Sequence, residues 1–310
     1  MAMQKIQRYD GLFRFNRVKP VTNLLISFLF VILALMAFLP MVFVFIISIS
    51  SEASIAKYGY SFFPQEFSGK AYEYLAQSTE YIGRSFLNSI GITVIGTVLG
   101  LILIGTMGYA ISRPTFRLKR LLTVMIFIPM LFSGGLVASY MINTQLFNMK
   151  NTYWALILPG ACSSFYIIIM RTFFQTTVPD SIIESGKIDG ASQLRIFAQL
   201  VIPISLPVIA TIGLFLTFNY WNAWYGAMLY CSTNHRELYP LQYVLISIER
   251  NLEFLTMNEQ YVTGAVSKVE LPNETIRMAI VMIVVIPIAC SYPFFQRYFI
   301  SGLTIGAVKG

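Results

Sequence analysis

Long apolar stretches alternate with short polar ones along this chain. Six stretches, near 24–49, 86–111, 121–142, 152–170, 204–230 and 278–297, are apolar enough to read as helices crossing a bilayer. Such a crossing takes ~20 residues. The fourth is short and carries Pro159-Gly160. The fifth is preceded by Pro203 and contains Pro207, residues that suit a first helical turn better than an interior. A transmembrane barrel would instead show alternating strands of ~10 residues. The pattern therefore predicts an all-α polytopic membrane protein with six transmembrane helices in one domain spanning 1–310. Polar segments at 50–85, 172–203 and 231–276 separate some of the spans, and a tail follows at 298–310.

Composition agrees with this pattern. Of the 310 residues, 56% are hydrophobic and only 12% are charged. A soluble domain would carry about a quarter of its residues as charges. The first apolar stretch is too long for a signal-peptide core and has no small-residue cleavage site, so it is expected to remain in the mature protein. The net charge of +8 would suggest nucleic acid in a soluble protein, but the distribution argues for none. Lys and Arg collect in the N-terminal tail, in the loop "SRPTFRLKR", in the 172–203 segment and in the C-terminal tail, whereas acidic residues favour the other loops. The positive-inside rule then sets the N- and C-termini in the cytoplasm. The cores of the six spans contain no Asp, Glu, Lys, Arg or His. Since buried ionisable groups mark proton relays, the energy for any uphill transport is expected to enter from outside the spans. A sodium-coupled carrier built on backbone carbonyls, or a passive channel, stays open on this ground. The three cysteines, Cys162, Cys231 and Cys290, read as small apolar fillers, and no metal-ligand cluster is apparent.

The segment "PDSIIESGKIDGASQLRIFAQLVIPISLP" (179–207) stands out as polar, charged and glycine-punctuated. Ser181 and Glu184 match a capping box. Lys187 falls in a last turn, and Gly190 fits just past a helix end, where a left-handed residue is needed. Beyond it, Ala191, Leu194, Phe197 and Val201 recur at helical spacing. Two short helices joined by a glycine elbow result. Local physics alone allows this to be no more than a capped linker with an interfacial helix.

The letters say more. Glu184, Gly190 and the Ile202-Pro203 … Pro207 ending resemble the signature loop of ABC importer permeases, in which E-A-A is followed by three residues, a glycine and a later I-x-L-P. Here Ser185 and Gly186 replace the two alanines, while Asp189-Gly190-Ala191 is kept. The C-terminal "PFFQRYFISGLTIGAVKG" is similar to the tail of the carbohydrate-uptake branch, typified by the second permease of the maltose importer. Within that branch the chain resembles permeases of complex oligosaccharide or polysaccharide fragments. The resemblance implies the type I importer fold and a bacterial cell membrane. It implies four kinds of partner: a second permease subunit, two cytoplasmic ATPase subunits, an extracytoplasmic solute-binding protein and an oligosaccharide substrate. Glu184, Ser185, Gly186, Asp189, Gly190 and Ala191 would couple to the ATPase, with Gly190 as the joint about which the docked helix pivots. The tail from Ser301 to Gly310 would reach between the ATPases.

The chain carries no G-x-x-x-x-G-K-[ST] phosphate loop, so it is not expected to be an enzyme or to hold a cofactor; ATP and magnesium belong to the partner ATPase. For the solute, the fifth span offers Asn219, Tyr220, Trp221, Asn222 and Trp224. Rings and amides together suit the C–H faces and hydroxyl edges of sugars. Helical spacing sets Asn219, Asn222 and Trp221 on one side, and Tyr220 with Trp224 on another. An interfacial aromatic belt accounts for Trp224 and Tyr225 equally well. Ser133-Gly134-Gly135, Ser139 and Tyr140, and Ser163-Ser164, are further polar candidates, the glycines read as close helix packing. The loops at 50–85 and 231–276 are each expected to contain a helix and, by resemblance, to receive the binding protein. A stand-alone carrier or channel is the opposing reading, and a structural scaffold a third.

Overall fold

The computed structural model describes residues 19–77, 79–257 and 273–307. Among them regular structure is helical, apart from one isolated bridge between Ser50 and Phe67. The chain forms two compact units. One holds the described residues up to Ala71 and those from 273 to 282; the other holds the rest.

In the first unit, α1 (Pro20–Ser48) begins on a proline at the position where no N–H is needed. It is exposed along nearly its whole length and buried only at Ile47 and Ser48, as suits a helix whose solvent is lipid. A short α2 (Glu52–Tyr58) follows and ends at Gly59. The last helix, named α14 below (Asn273–Ala307), starts in this unit. The Glu52 carboxylate accepts from the backbone N–H groups of Glu274 and Thr275, both at 3.1 Å, and from the Thr275 hydroxyl at 2.9 Å. A carboxylate at a helix N-terminus satisfies otherwise orphaned donors and complements the macrodipole. Tyr60 Oη donates to Glu274 at 2.7 Å, and this hydrogen bond, followed by burial, raises the phenol above its ordinary range.

In the second unit, α3 (Lys70–Gln77), whose first two residues belong to the first unit, precedes α4 (Thr79–Ser112), the helix around which the others pack. After α4 come α5 (Lys119–Leu131), α6 (Gly135–Met141), α7 (Tyr153–Ala161), α8 (Ser164–Thr177), α9 (Asp180–Ile188), α10 (Gln193–Ile196), α11 (Leu206–Trp221), α12 (Tyr225–Tyr230) and α13 (Leu241–Met257), with α14 closing the order. Glycines let the neighbours come close. A Cβ at Gly96 would lie 2.5 Å from the Tyr220 ring of α11, and one at Gly108 would lie 3.0 Å from Met170 of α8. In lipid, where apolar surface gains nothing by leaving the solvent, such close approach is what holds helices together.

The predicted spans are less continuous than the apolar pattern suggested. Helices α1, α4 (from Glu80) and α14 (Glu274–Pro293) are each long and apolar enough to cross alone, and α7 with α8 do so as a pair bent by 45°. The break in that pair lies at Cys162-Ser163, after Pro159-Gly160 rather than at it. The stretch 121–142 is interrupted at 132–134, where Gly135 takes φ +79°. No atom of the described residues comes within 4 Å of a Cβ built at Gly135, so this glycine serves the break in the helix rather than a close approach within the chain. The stretch 204–230 is likewise split between Trp221 and Tyr225. At its start Ser205 separates Gln193–Ile204 from α11 by a bend of 83°. Pro203 cannot donate to the Gln199 carbonyl, and the helix widens into a π turn over Phe197–Val201 just before it.

Candidate coupling loop and solute path

The polar segment folds as the glycine punctuation predicts, with a different start. Val178 and Pro179 are extended, and α9 begins at Asp180, whose carboxylate lies in the first turn as the dipole prefers. Ser181 is therefore inside the helix, and no side chain caps it. The expected capping box with Glu184 does not form, because Pro179 takes the N-cap position and the helix begins two residues too early. Ser185 Oγ instead donates back to the Ile182 carbonyl at 3.0 Å. Lys187 sits in the last turn, and Gly190 takes φ +74°. Its N–H donates to Lys187 O at 3.0 Å, and that of Ala191 to Gly186 O at 2.9 Å, the pattern of a left-handed helix stop. Proline at 190 could supply neither that φ nor that donor, so Gly190→Pro would break the turn rather than lock it.

The second helix starts at Gln193, with the Ser192 hydroxyl accepting from Arg195 N at 3.3 Å. This start and the π turn shift the buried face. Ile196 and Val201 are buried, Ala191 and Phe197 are half-buried, and Leu194, at the same helical spacing, is 78% exposed. Gly186 explains the need for a small residue in the signature. A Cβ there would meet Ile196 Cγ1 at 3.1 Å and Leu200 Cδ1 at 3.3 Å, so α9 and the following segment lie in direct contact. Glu184, Ser185, Asp189 and Gly190 are exposed.

The solute-path residues divide differently from the expectation. Asn219 and Asn222 are exposed on one side of α11. Asn219 Nδ2 donates to Tyr166 Oη at 3.3 Å, and Asn222 Oδ1 accepts from Gln242 Nε2 at 3.1 Å. Trp221 does not join them. It is 6% exposed, donates Nε1–H to Val284 O at 3.2 Å and packs edge-on against Phe86. Tyr220 is 4% exposed and donates to Ile157 O at 2.7 Å while filling the groove left by Gly96 and Gly160. These two rings hold helices together; the amides face outward. Trp224 lies past the end of α11 with the Arg250 guanidinium over its ring at 5.4 Å and Tyr225 edge-on at 5.6 Å. Tyr166, Gln242 and Arg250, which complete this polar edge, lie far from span five in sequence. Only the general enrichment of amides and rings could have pointed to them. Of the other polar candidates, Ser133 Oγ accepts from Gly135 N at 3.2 Å, Ser139 Oγ donates to Gly135 O at 2.9 Å, and Tyr140 stacks on Tyr230.

The loop after α12 is fastened to α4. Asn88 Nδ2 donates to the carbonyls of Glu237 and Tyr239 at 2.7 and 3.2 Å, and Asn88 Oδ1 accepts from Tyr153 Oη at 3.0 Å. Burial, then the Glu237 carboxylate, push the Cys231 thiol up to about 11. Of the two loop helices expected, Lys70–Gln77 and Leu241–Met257 are present. The tip expected after Leu241–Met257, and the end of the tail from 308, lie outside the described residues.

No protein-family profile matches the chain. The polygalacturonan/rhamnogalacturonan transport system permease protein YtcP of Bacillus subtilis (strain 168) is 36% identical over 292 residues, covering 93% of this chain and 98% of its own length. The galactooligosaccharides transport system permease protein GanQ of the same organism is 28% identical over 237 residues, 76% of each chain. A solved structure, a bacterial ABC transporter involved in the import of the acidic polysaccharide alginate, aligns with TM-score 0.76 at 30% identity over 90% of this chain and 96% of that one. With the signature loop folded around Gly190 and relatives this similar along nearly the whole length, the chain belongs to the permease subunits of ABC importers, in the branch that takes up carbohydrates.

Proposed function

We propose that this permease forms one half of an import pathway with six spans and both termini in the cytoplasm, paired with a second permease. A solute-binding protein delivers oligosaccharides from outside. The relatives named for polygalacturonan and alginate transport support fragments of larger polysaccharides as the cargo. Two ATPase subunits inside supply the work; they bind ATP and magnesium, and this chain holds no cofactor of its own.

The observation that carries this reading is the surface of the 180–201 loop. Ile188 is 86% exposed and Leu194 is 78% exposed, one on either side of the Gly190 turn, among exposed Glu184, Ser185 and Asp189. Apolar side chains held out by a rigid polar loop are what a protein partner would cover. ATP-driven closure of the ATPase pair would then move the docked loops, and the permease halves with them, as rigid bodies. Asn219 and Asn222, exposed amides of span five, would face the solute. Replacing both Ile188 and Leu194 by glutamate should leave the permease pair in the membrane but strip the ATPase on purification. Unchanged recovery of the ATPase would overturn the docking role.

A further inference from the structure

We infer that Arg113 is a positioning residue that fastens the last turn of α4 to the proposed docking loop, so that movement of the loop is delivered to span two. The inference rests on the docking reading above. Arg113 follows directly on α4 and is 8% exposed. Its guanidinium reaches three elements. Nη1 donates to Asp180 Oδ1 at 2.8 Å, at the first residue of α9; Nη2 donates to Phe174 O at 2.8 Å, near the end of α8; Nε donates to Ser112 Oγ at 2.9 Å, at the end of α4 itself. The same guanidinium lies 5.4 Å from the centre of the Tyr109 ring.

A buried cation is costly unless its donors are filled, and here each of the three guanidinium nitrogens has an acceptor on a different part of the chain. The Asp180 side chain is 62% exposed, so the ion pair taken alone would hold little. What is specific is the planar fork, which a lysine cannot reproduce. Other groups of the same turn of α4 reinforce it. Tyr109 packs on Phe197 at 4.9 Å and edge-on against Phe174 at 5.9 Å, and its hydroxyl donates to Gln193 Oε1 at 3.4 Å. Gln175 Nε2 donates to Ser112 O at 3.4 Å. Thus one turn of α4 grips both limbs of the loop, Asp180 on the first and Gln193 with Phe197 on the second. The two limbs are themselves in contact at Gly186 and Ile196. The loop and the end of α4 are therefore built to move together, and α4 is the helix against which α7, α8 and α11 pack.

The test uses the complete importer in proteoliposomes, with the glycan that best stimulates wild-type ATP hydrolysis as the labelled solute. Arg113→Gln is expected to lower solute imported per ATP hydrolysed at least tenfold while stimulated hydrolysis stays within about threefold. Arg113→Lys, which keeps one bond of the fork, should recover part of the ratio. A parallel fall of both activities with the ratio unchanged would overturn the inference, since loss of folding or assembly does exactly that much and no more. If Arg113→Gln fails to assemble, Asp180→Lys at the exposed end of the pair decides, since it removes the acceptor and sets a second cation beside the guanidinium: a reduced ratio supports the link, and a wild-type ratio overturns it. Cross-linking of Ser185→Cys to the ATPase separates the two readings. Its absence in the otherwise unaltered importer removes the docking role and this inference with it. Its presence alongside a wild-type ratio in the Arg113 variant removes this inference alone.

Discussion

Glu184 carries a carboxylate that its own helix does not use. Pro179 takes the position before α9 and provides no side-chain cap, so the glutamate of the signature is left exposed on the loop surface. Its substitution is therefore clean. Glu184→Gln should change thermal stability by no more than about 0.5 kcal/mol, as for surface positions without partners. If it pairs with a basic group on the ATPase, the same change should weaken recovery of the ATPase several-fold. Melting in detergent and co-purification measure the two; a clear drop in melting with full ATPase recovery would contradict the assignment. At the neighbouring Gly186 the reverse holds, since its lack of a side chain is used inside the loop, against Ile196 and Leu200. Letters adjacent in the signature thus serve different ends, and spacing alone does not say which residue faces inward.

Among elements, α4 does most of the organising. Its glycines receive Tyr220 and Met170, its last turn holds the docking loop, and near its start Asn88 binds the loop between α12 and α13. Asn88→Ala would leave two carbonyls and the Tyr153 hydroxyl without this partner. These groups are part-buried or exposed, so a cost of about 0.5–1.5 kcal/mol is expected, the net worth of a typical hydrogen bond, read as a lower melting temperature of the purified permease pair. An unchanged melting temperature would show that water replaces the amide without loss. The apolar length of each stretch was legible in the sequence because hydrocarbon thickness sets it. The breaks at 132–134, 162–163 and 222–224 were harder to read. Glycine and proline permit a break, but neighbouring helices decide whether the chain uses it. The fate of Tyr220 and Trp221 is another case: both match a sugar-binding wall by residue type, and both are consumed by packing against residues 60 or more positions away.

For the molecule as a whole, the proposed arrangement of six spans makes a parity prediction. With Cys162, Cys231 and Cys290 replaced by serine, Met149→Cys should react with an impermeant maleimide in intact cells. Arg117→Cys should react only after the membrane is opened. Labelling of both from one side would remove a crossing between them and exclude six spans.

What this sequence determined alone was its solvent and its lineage. Backbone groups in hydrocarbon must bond within their own helix, so long apolar stretches could only be helices. The spacing from Glu184 through Gly190 to Ile202-Pro203 marks the signature loop by its letters alone. What tertiary structure decided was the use of each polar side chain. Whether Asn219 faces a pathway, Trp221 closes a core or Arg113 ties a loop to a span depends on which helix arrives opposite it. That arrival is set by many small contacts distant in sequence, and no local pattern encodes it.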